Sequence, residues 1–463
     1  MKDVSRVVFF MLLSAGVTSA VQSTPNIIFI LADDLGWNDV SWHNSSVVTP
    51  HLQELVDTGV LLEQNYVQPI CTPTRSALLT GYYPYHLGRQ RNVLVNKQPT
   101  GLTLSKRLLP ERLSQLGYTT HAIGKWHLGF CDWAYVPTYR GFDTFYGFYV
   151  GGEKYFTHDS IGGYDFRDGE RVAWEANGTH STDLFADRAV EVIEEQQGKE
   201  APFYLYLAFQ NVHTPLEVPD EYLEFYPDEP DSDRQKLLGL VTAMDDAVGR
   251  VVKALHTTGL YDNTLIIFSS DNGGSLRGKG SSYPLRGNKG TLWEGGTRVP
   301  ALVHGPLLEN TPRVHRGLLH VTDWYSTLMA VAGAQELPDT DGFNQWEVLR
   351  TGNIPSPRHS FIYNLDESEE NGIVGAIRMG RYKFLMGKEP HTEEHGPWLF
   401  DLDDDPNETT NLVETQPTLA AELELLLLAQ LESLVAPDVP ADDPAGDAEN
   451  WGGAWSPGWC TAH

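Results

Sequence analysis

Three uninterrupted apolar runs, at residues 26–31, 203–209 and 264–269, constrain this chain more than any other feature. Each has strand length and none alternates with polar residues, which is the pattern of strands buried on both faces of a helix-covered parallel sheet. Each is followed closely by groups that carry chemistry: Asp33 and Asp34 after the first, His213 after the second, Asp271 and Asn272 after the third. Any one of these fits a solvated turn, since Asp and Asn favour turns. Independent turns would not need to deliver such groups to the same relative place three times. The carboxyl ends of parallel strands are where open α/β sheets gather ligands, so one edge of one sheet is expected to carry a site.

A second stretch, Cys71-Thr72-Pro73-Thr74-Arg75-Ser76-Ala77-Leu78-Leu79-Thr80-Gly81, reads as one short helix. Thr72 is expected as its cap, Pro73 occupies the first turn where a missing N–H costs nothing, and Gly81 suits a left-handed stop. Cys71 then lies just outside a helix N-terminus, where orphan N–H groups favour an anion and Arg75 adds positive charge. A half-buried structural thiol fits this stretch equally.

A helix over residues 110–117 leads into a strand that delivers Gly124-Lys125-Trp126-His127-Leu128-Gly129. If that segment stays extended, Lys125 and His127 point to one side. The glycine- and aromatic-rich residues 140–174 show little periodicity and read either as a pocket wall or as an irregular packed excursion. Leu237, Val241, Met244, Val248 and Leu255 form the core stripe of a long helix over 233–256, stopped by Gly259. Residues 284–298, containing Lys289, read as a glycine-rich loop. From Pro355 the pattern changes to short strands, then a leucine-rich helix and a Pro-, Asp- and Ala-rich tail at 436–447, read as extended. The expected class is α/β: a large, mostly parallel mixed sheet flanked by helices, with a smaller C-terminal domain of antiparallel sheet plus helix. We divide the chain into 1–20, a signal peptide; 21–353, a catalytic domain; and 354–463, the smaller domain with its tail.

The signal-peptide reading rests on Lys2 and Arg6, an apolar run at 7–13 and Thr18-Ser19-Ala20. It makes Asn44, Asn177 and Asn407 candidate glycan acceptors and points to the lysosome or the extracellular space. The apolar run at 7–13 is too short for a membrane span and nothing comparable follows it. The 62 acidic and 33 basic residues give a net charge of -29, which argues against general binding to nucleic acid or anionic membrane. Of three cysteines, Cys131 and Cys460 either pair or stay as thiols.

Asp33, Asp34, Asp271 and Asn272 offer only oxygen ligands, which suits a hard cation such as calcium or magnesium. Arg75, Lys125, His127, His213 and Lys289 can hold negative charge, so a phosphate or sulfate ester is the expected substrate class. The Cys-x-Pro-x-Arg element at Cys71–Arg75, with Ser76 to Gly81 behind it, resembles the signature of the type I sulfatases, and the likeness runs from Asn26 to about Glu432. That resemblance implies an alkaline-phosphatase-like fold and oxidation of Cys71 to formylglycine (3-oxoalanine) by a formylglycine-generating enzyme. It also implies one calcium ion held by Asp33, Asp34, Asp271, Asn272 and the modified residue 71, with Arg75 bracing that residue. Lys125 and His127 would contact the nucleophile and sulfate, while His213 and Lys289 would bind sulfate and protonate the leaving oxygen. Residues 124–129, 212–219 and 271–274 look most like the arylsulfatase B branch, which acts on 4-sulfated N-acetylgalactosamine in glycosaminoglycans. A phosphate or phosphonate ester hydrolase on the same fold, or a silent sulfated-glycan-binding protein, are the alternatives.

Overall fold

A computed structural model of the chain describes residues 24–389 and 394–462; the signal-peptide reading lies outside them. Among these residues the main body is built on a ten-stranded sheet. Asn26–Ala32 lies near its middle, fully buried, and pairs in parallel with Phe203–Ala208 on one side and Thr264–Ser270 on the other. Thr119–Lys125 and then Thr144–Phe148 continue the sheet in parallel beyond Phe203–Ala208. Ala301–His304 joins Thr264–Ser270 antiparallel, so the sheet is mixed but mostly parallel at its centre. The three apolar runs are adjacent strands because each can shed both faces only between two layers of helices.

The long helix is Ser232–Thr258. Its start is set by the Asp231 side chain, which accepts from the N–H groups of Asp233 and Arg234, and its end by left-handed Gly259. Leu237, Val241, Met244, Val248 and Leu255 are all buried core. Residues 140–174 resolve the earlier ambiguity in part: Thr144–Phe148 is a strand of the main sheet, with Phe142, Phe145 and Phe148 in the core.

A four-stranded antiparallel sheet, Ser360–Ser368, Gly372–Met379, Tyr382–Met386 and Trp398–Asp401, forms the second layer system, packed by the helix Pro417–Leu428 through Ala420, Leu423 and Leu427. Residues 284–298 are not a solvated loop. Glu294 is fully buried, 3.1 Å from Lys383 Nζ, and accepts from Tyr66 and Tyr363 hydroxyls at 2.8 Å each. Lys383 also pairs with Glu408 at 2.7 Å. This buried network ties the loop that carries Lys289 to the small sheet, and a buried charge left unpaired there would be costly.

Residues 434–443 of the tail form no helix or strand, with Leu434 and Asp443 in extended backbone, and the chain turns only beyond them. The tail then carries two short 3-10 turns, Pro444–Gly446 and Ala448–Trp451, and returns to the main body, where Cys460 is disulfide-bonded to Cys131 with Cα atoms 5.4 Å apart. Trp455 is buried against Phe130.

Candidate active site

The strand Asn26–Ala32 ends at Asp33 and Asp34, and its end is locked to its neighbours. Asp33 N–H donates to Asn211 O at 2.7 Å, Val212 N–H donates to Asp33 O at 2.6 Å, and Asp271 N–H donates to Ala32 O at 2.9 Å. Three parallel strand ends are thereby held level. Asp34 has φ of 63°, an unusual conformation for a residue other than glycine, and its N–H donates to Asp271 Oδ1 at 3.2 Å. Gly273 is required by a close approach, since a Cβ there would lie 1.8 Å from Gly295 O.

The helix Cys71–Thr80 brings Cys71 to this edge as its first residue. Gly81 stops it with φ of 77°, as expected. Thr72 is not the cap. Its hydroxyl donates to His127 O at 3.0 Å and accepts from Leu94 N–H at 3.2 Å, so it fastens the helix to the His127 segment instead. Arg75 does not face an incoming anion either. It is fully buried beneath the site, with Nη2 2.8 Å and Nε 3.1 Å from Asp271 Oδ2 and Nη1 donating to Lys125 O at 3.0 Å.

The ligand atoms of Asp33, Asp34, Cys71 and Asp271 all lie within 4.8 Å of one another. Cys71 Sγ is 3.6 Å from Asp33 Oδ1 and 3.5 Å from Lys289 Nζ. Lys125 Nζ is 2.6 Å from Asp33 Oδ2, and Lys289 Nζ is 2.5 Å from Asp34 Oδ1. Asn272 Nδ2 donates to Asp34 Oδ1 at 2.8 Å, while its Oδ1 is buried with no hydrogen-bond partner among the described residues. An orphaned amide oxygen beside three buried carboxylates is costly unless something positive meets it. The donor set, all oxygen apart from residue 71, therefore fits a hard cation.

His127 lies outside the strand, with φ of 58°, so it reaches the site through a left-handed kink and not by the alternation of an extended chain. Its Nε2–H donates to Leu94 O at 2.9 Å, and its Nδ1 is buried without a hydrogen-bond partner among the described residues. His213 donates Nδ1–H to Thr214 O at 2.6 Å, which leaves Nε2 as its free ring nitrogen.

Burial dominates the electrostatics. It pushes the Cys71 thiol up to about 12, helped by Asp271 and Asp33, and takes the His213 imidazole down to about 3. His127 is also held well below its ordinary value by burial, with Lys125 and Arg75 adding repulsion. Both imidazoles are thus neutral at neutral pH. Burial alone would raise Asp34, yet Lys289, His213 and Lys125 together hold its carboxyl well below the usual range. Burial opposes the Lys289 charge, but Asp34, Cys71 and Asp33 keep its ammonium firmly protonated.

Of the ten residues singled out in the sequence, Cys71, His127, His213 and Lys289 line an open cleft of about 880 Å3, and the other six lie beneath it. Gly151, Gly152, Lys154 and Asp159 also line the cleft, so the pocket-wall reading of 140–174 holds for that part of the segment. Other parts of the wall were missed: Asp442, Asp447 and Trp455 come from the returning tail, and Lys97 and Arg277 from two loops. The one signal that could have placed the tail was the Cys131–Cys460 pair, because Cys131 follows the 124–129 segment closely.

The Sulfatase family model matches residues 25–334. Arylsulfatase J of Mus musculus is 38% identical over 487 aligned residues, spanning 95% of this chain and 81% of its own. Arylsulfatase A of Homo sapiens is 32% identical over 92% of each chain. Among solved structures, Ps i-CgsB in complex with k-i-k-neocarrahexaose superposes with a TM-score of 0.83 at 30% identity, covering 93% of this chain and 97% of that one.

Proposed function

This chain belongs to the type I sulfatase family, and from that premise we propose that its cleft hydrolyses the sulfate ester of a sulfated sugar, using residue 71 as the nucleophile after conversion of Cys71 to formylglycine. The observation that carries the reading is the meeting of Asp33, Asp34, Cys71 and Asp271 within 4.8 Å, with the Lys289 ammonium at hydrogen-bonding range of both Asp34 and Cys71. A structural cysteine would need neither the cations nor the carboxylates.

Asp33, Asp34, Asp271, Asn272 and the modified residue 71 would hold one calcium ion. When bound, the ion neutralises sulfate charge, and the hydrated aldehyde supplies the attacking hydroxyl. The chain's own groups do the rest. Lys289 presents a protonated amine to the sulfate and to the leaving oxygen, and Lys125 braces the anion cradle from below through Asp33. His127 Nδ1, a buried acceptor, is set to take a hydroxyl proton at position 71. His213 Nε2, held in one tautomer by the Thr214 carbonyl, serves the leaving-group side. Arg75 positions Asp271 and the strand end behind the nucleophile.

We further propose an arylsulfatase B-like substrate, a sulfated sugar of a glycosaminoglycan or another sulfated polysaccharide. We assign catalysis to residues 21–353 and a supporting unit to 354–463. The N-terminal segment would route the protein to the secretory pathway, for the lysosome or the outside of the cell. No helix among the described residues is long and apolar enough to cross a membrane.

The test compares turnover of an aryl sulfate and the matching aryl phosphate by protein made in cells that contain the converting enzyme. The reading expects sulfate to be preferred by about two orders of magnitude, the scale of losing one well-placed transition-state contact. Preference for phosphate would move the chain to the phosphate-ester class. Turnover of neither, with position 71 converted, would make it a glycan-binding protein.

A further inference from the structure

Two cavities meet beside Lys289. The cleft above Cys71, of about 880 Å3, and a second of about 560 Å3 share Ile70, Arg277 and Lys289 as walls. Arg277 therefore faces the space that continues past the reacting centre.

The turn that carries Arg277, Leu276–Gly278, is fixed from several sides. Gly278 and Gly280 N–H groups donate to Ser275 O at 3.0 and 2.8 Å, Lys279 Nζ pairs with Asp231 at 2.9 Å, and Arg234 Nη1 donates to Lys279 O at 2.9 Å. Gly278 also packs on Thr214, the residue after His213, closely enough that a Cβ would sit 3.3 Å from Thr214 Cγ2. The backbone is held against the catalytic histidine's own loop, yet the Arg277 side chain is exposed and has no ion pair or hydrogen bond among the described residues. The other cations of the cleft differ. Lys289 is engaged by Asp34, Lys97 pairs with Asp447 at 3.0 Å, and Lys154, without an ion pair among the described residues, lines only the first cavity. In a chain with 62 acidic and 33 basic residues, a guanidinium left free on a rigid turn beside the site is set for an incoming anion.

Resting on the sulfate-ester reading above, we propose that Arg277 holds a second anionic group of the substrate, so that the cleft selects a polyanionic oligosaccharide over an isolated sulfate ester. A planar guanidinium grips a carboxylate or a second sulfate in the same two-pronged way. Either group would lie on the sulfated sugar or its neighbour, in the space shared by the two cavities.

The test is competition against hydrolysis of 4-methylumbelliferyl sulfate. The competitors are inorganic sulfate, a chondroitin 4-sulfate tetrasaccharide, its carboxyl-reduced form and a carrageenan tetrasaccharide that bears sulfates but no carboxylate. At least one polyanion is expected to compete about tenfold more tightly than inorganic sulfate, the scale of one charge-assisted hydrogen-bond pair. Arg277→Ala should erase most of that advantage while shifting the inorganic sulfate constant far less, and Arg277→Lys should recover part of it. Loss on carboxyl reduction assigns the second group as a carboxylate; tight binding of the carrageenan fragment assigns it as sulfate. The proposal is overturned if no polyanion outcompetes inorganic sulfate, or if Arg277→Ala weakens all competitors alike. Failure of the wild-type protein to hydrolyse the aryl sulfate would instead overturn the sulfatase reading on which it rests.

Discussion

Lys289 Nζ stands 3.5 Å from Cys71 Sγ although 218 residues separate the two in the chain, and the same ammonium lies 2.5 Å from Asp34 Oδ1. One cation thus bridges residue 71 and a carboxylate of the acidic cluster. It is held there by a loop whose other end, at Glu294, is anchored in the buried network with Lys383.

Replacing that cation tests its role in the reaction directly. Lys289→Ala is expected to lower kcat on an aryl sulfate by about 10²–10³, the usual loss for one preorganised donor to a developing anion. KM should change much less. Steady-state kinetics would check this, and a variant with unchanged kcat would remove Lys289 from the mechanism.

Arg75 is predicted to matter for stability as well as activity. Arg75→Met leaves Asp271 buried without its guanidinium partner, a change that costs about 3–5 kcal/mol in comparable buried pairs. Denaturant unfolding measures the loss. Arg75→Lys should not rescue fully, because a single ammonium cannot reach both Asp271 and the Lys125 carbonyl as the fork does.

Asp165 gives a pH prediction away from the cluster. It is buried, its Oδ2 accepts from Tyr149 and Val150 N–H groups, and burial raises its carboxyl to about 7 from an ordinary value of 3.8. Between these two pH values the folded chain keeps a proton that the unfolded chain releases, so this residue's contribution to stability falls as pH rises through that window. Asp165→Asn mimics the protonated form. The melting temperature of the variant relative to the wild type should therefore climb by roughly 2 °C or more from pH 5 to pH 8. A difference that stays flat across this range would contradict the assignment.

Chelation is expected to lower both activity and melting temperature, with calcium restoring both. A site saturated about 100-fold above its dissociation constant adds about 2.7 kcal/mol to the folded state. Asn272→Leu, which removes the orphaned Oδ1, should weaken the calcium dependence. An enzyme indifferent to prolonged chelation would rule the cluster out as a metal site.

The parts of this architecture that were legible in the sequence are those set by local burial. The runs ending at Asp33, Asp34, Asp271 and Asn272 are apolar on both faces, and a strand buried on both faces leaves its polar groups only at its end. Gly81 and Gly259 marked helix stops for the same local reason. What sequence could not supply was decided by distant partners. Thr72 looks like a cap, but it bonds to the His127 carbonyl and the Leu94 amide, which local pattern does not bring near. His127 turns by a left-handed residue that no periodicity announces, and Arg75 is drawn inward by Asp271. The strand Thr144–Phe148 was hidden because its glycine and aromatics mimic an irregular segment. The tail reaches the cleft through the Lys97–Asp447 pair, the buried Trp455 and the Cys131–Cys460 disulfide, and spacing does not choose between thiol and disulfide for those cysteines.

On the proposed mechanism, position 71 carries the nucleophile and is not a cysteine when it acts. Peptide mass spectrometry of the 71-containing fragment, on protein made in cells with the converting enzyme and checked for aryl sulfate turnover, measures this most directly. The expected result is an aldehyde at position 71, in a fraction that tracks specific activity across preparations, and no turnover from Cys71→Ala. Full activity from protein whose residue 71 remains an unmodified thiol would contradict it.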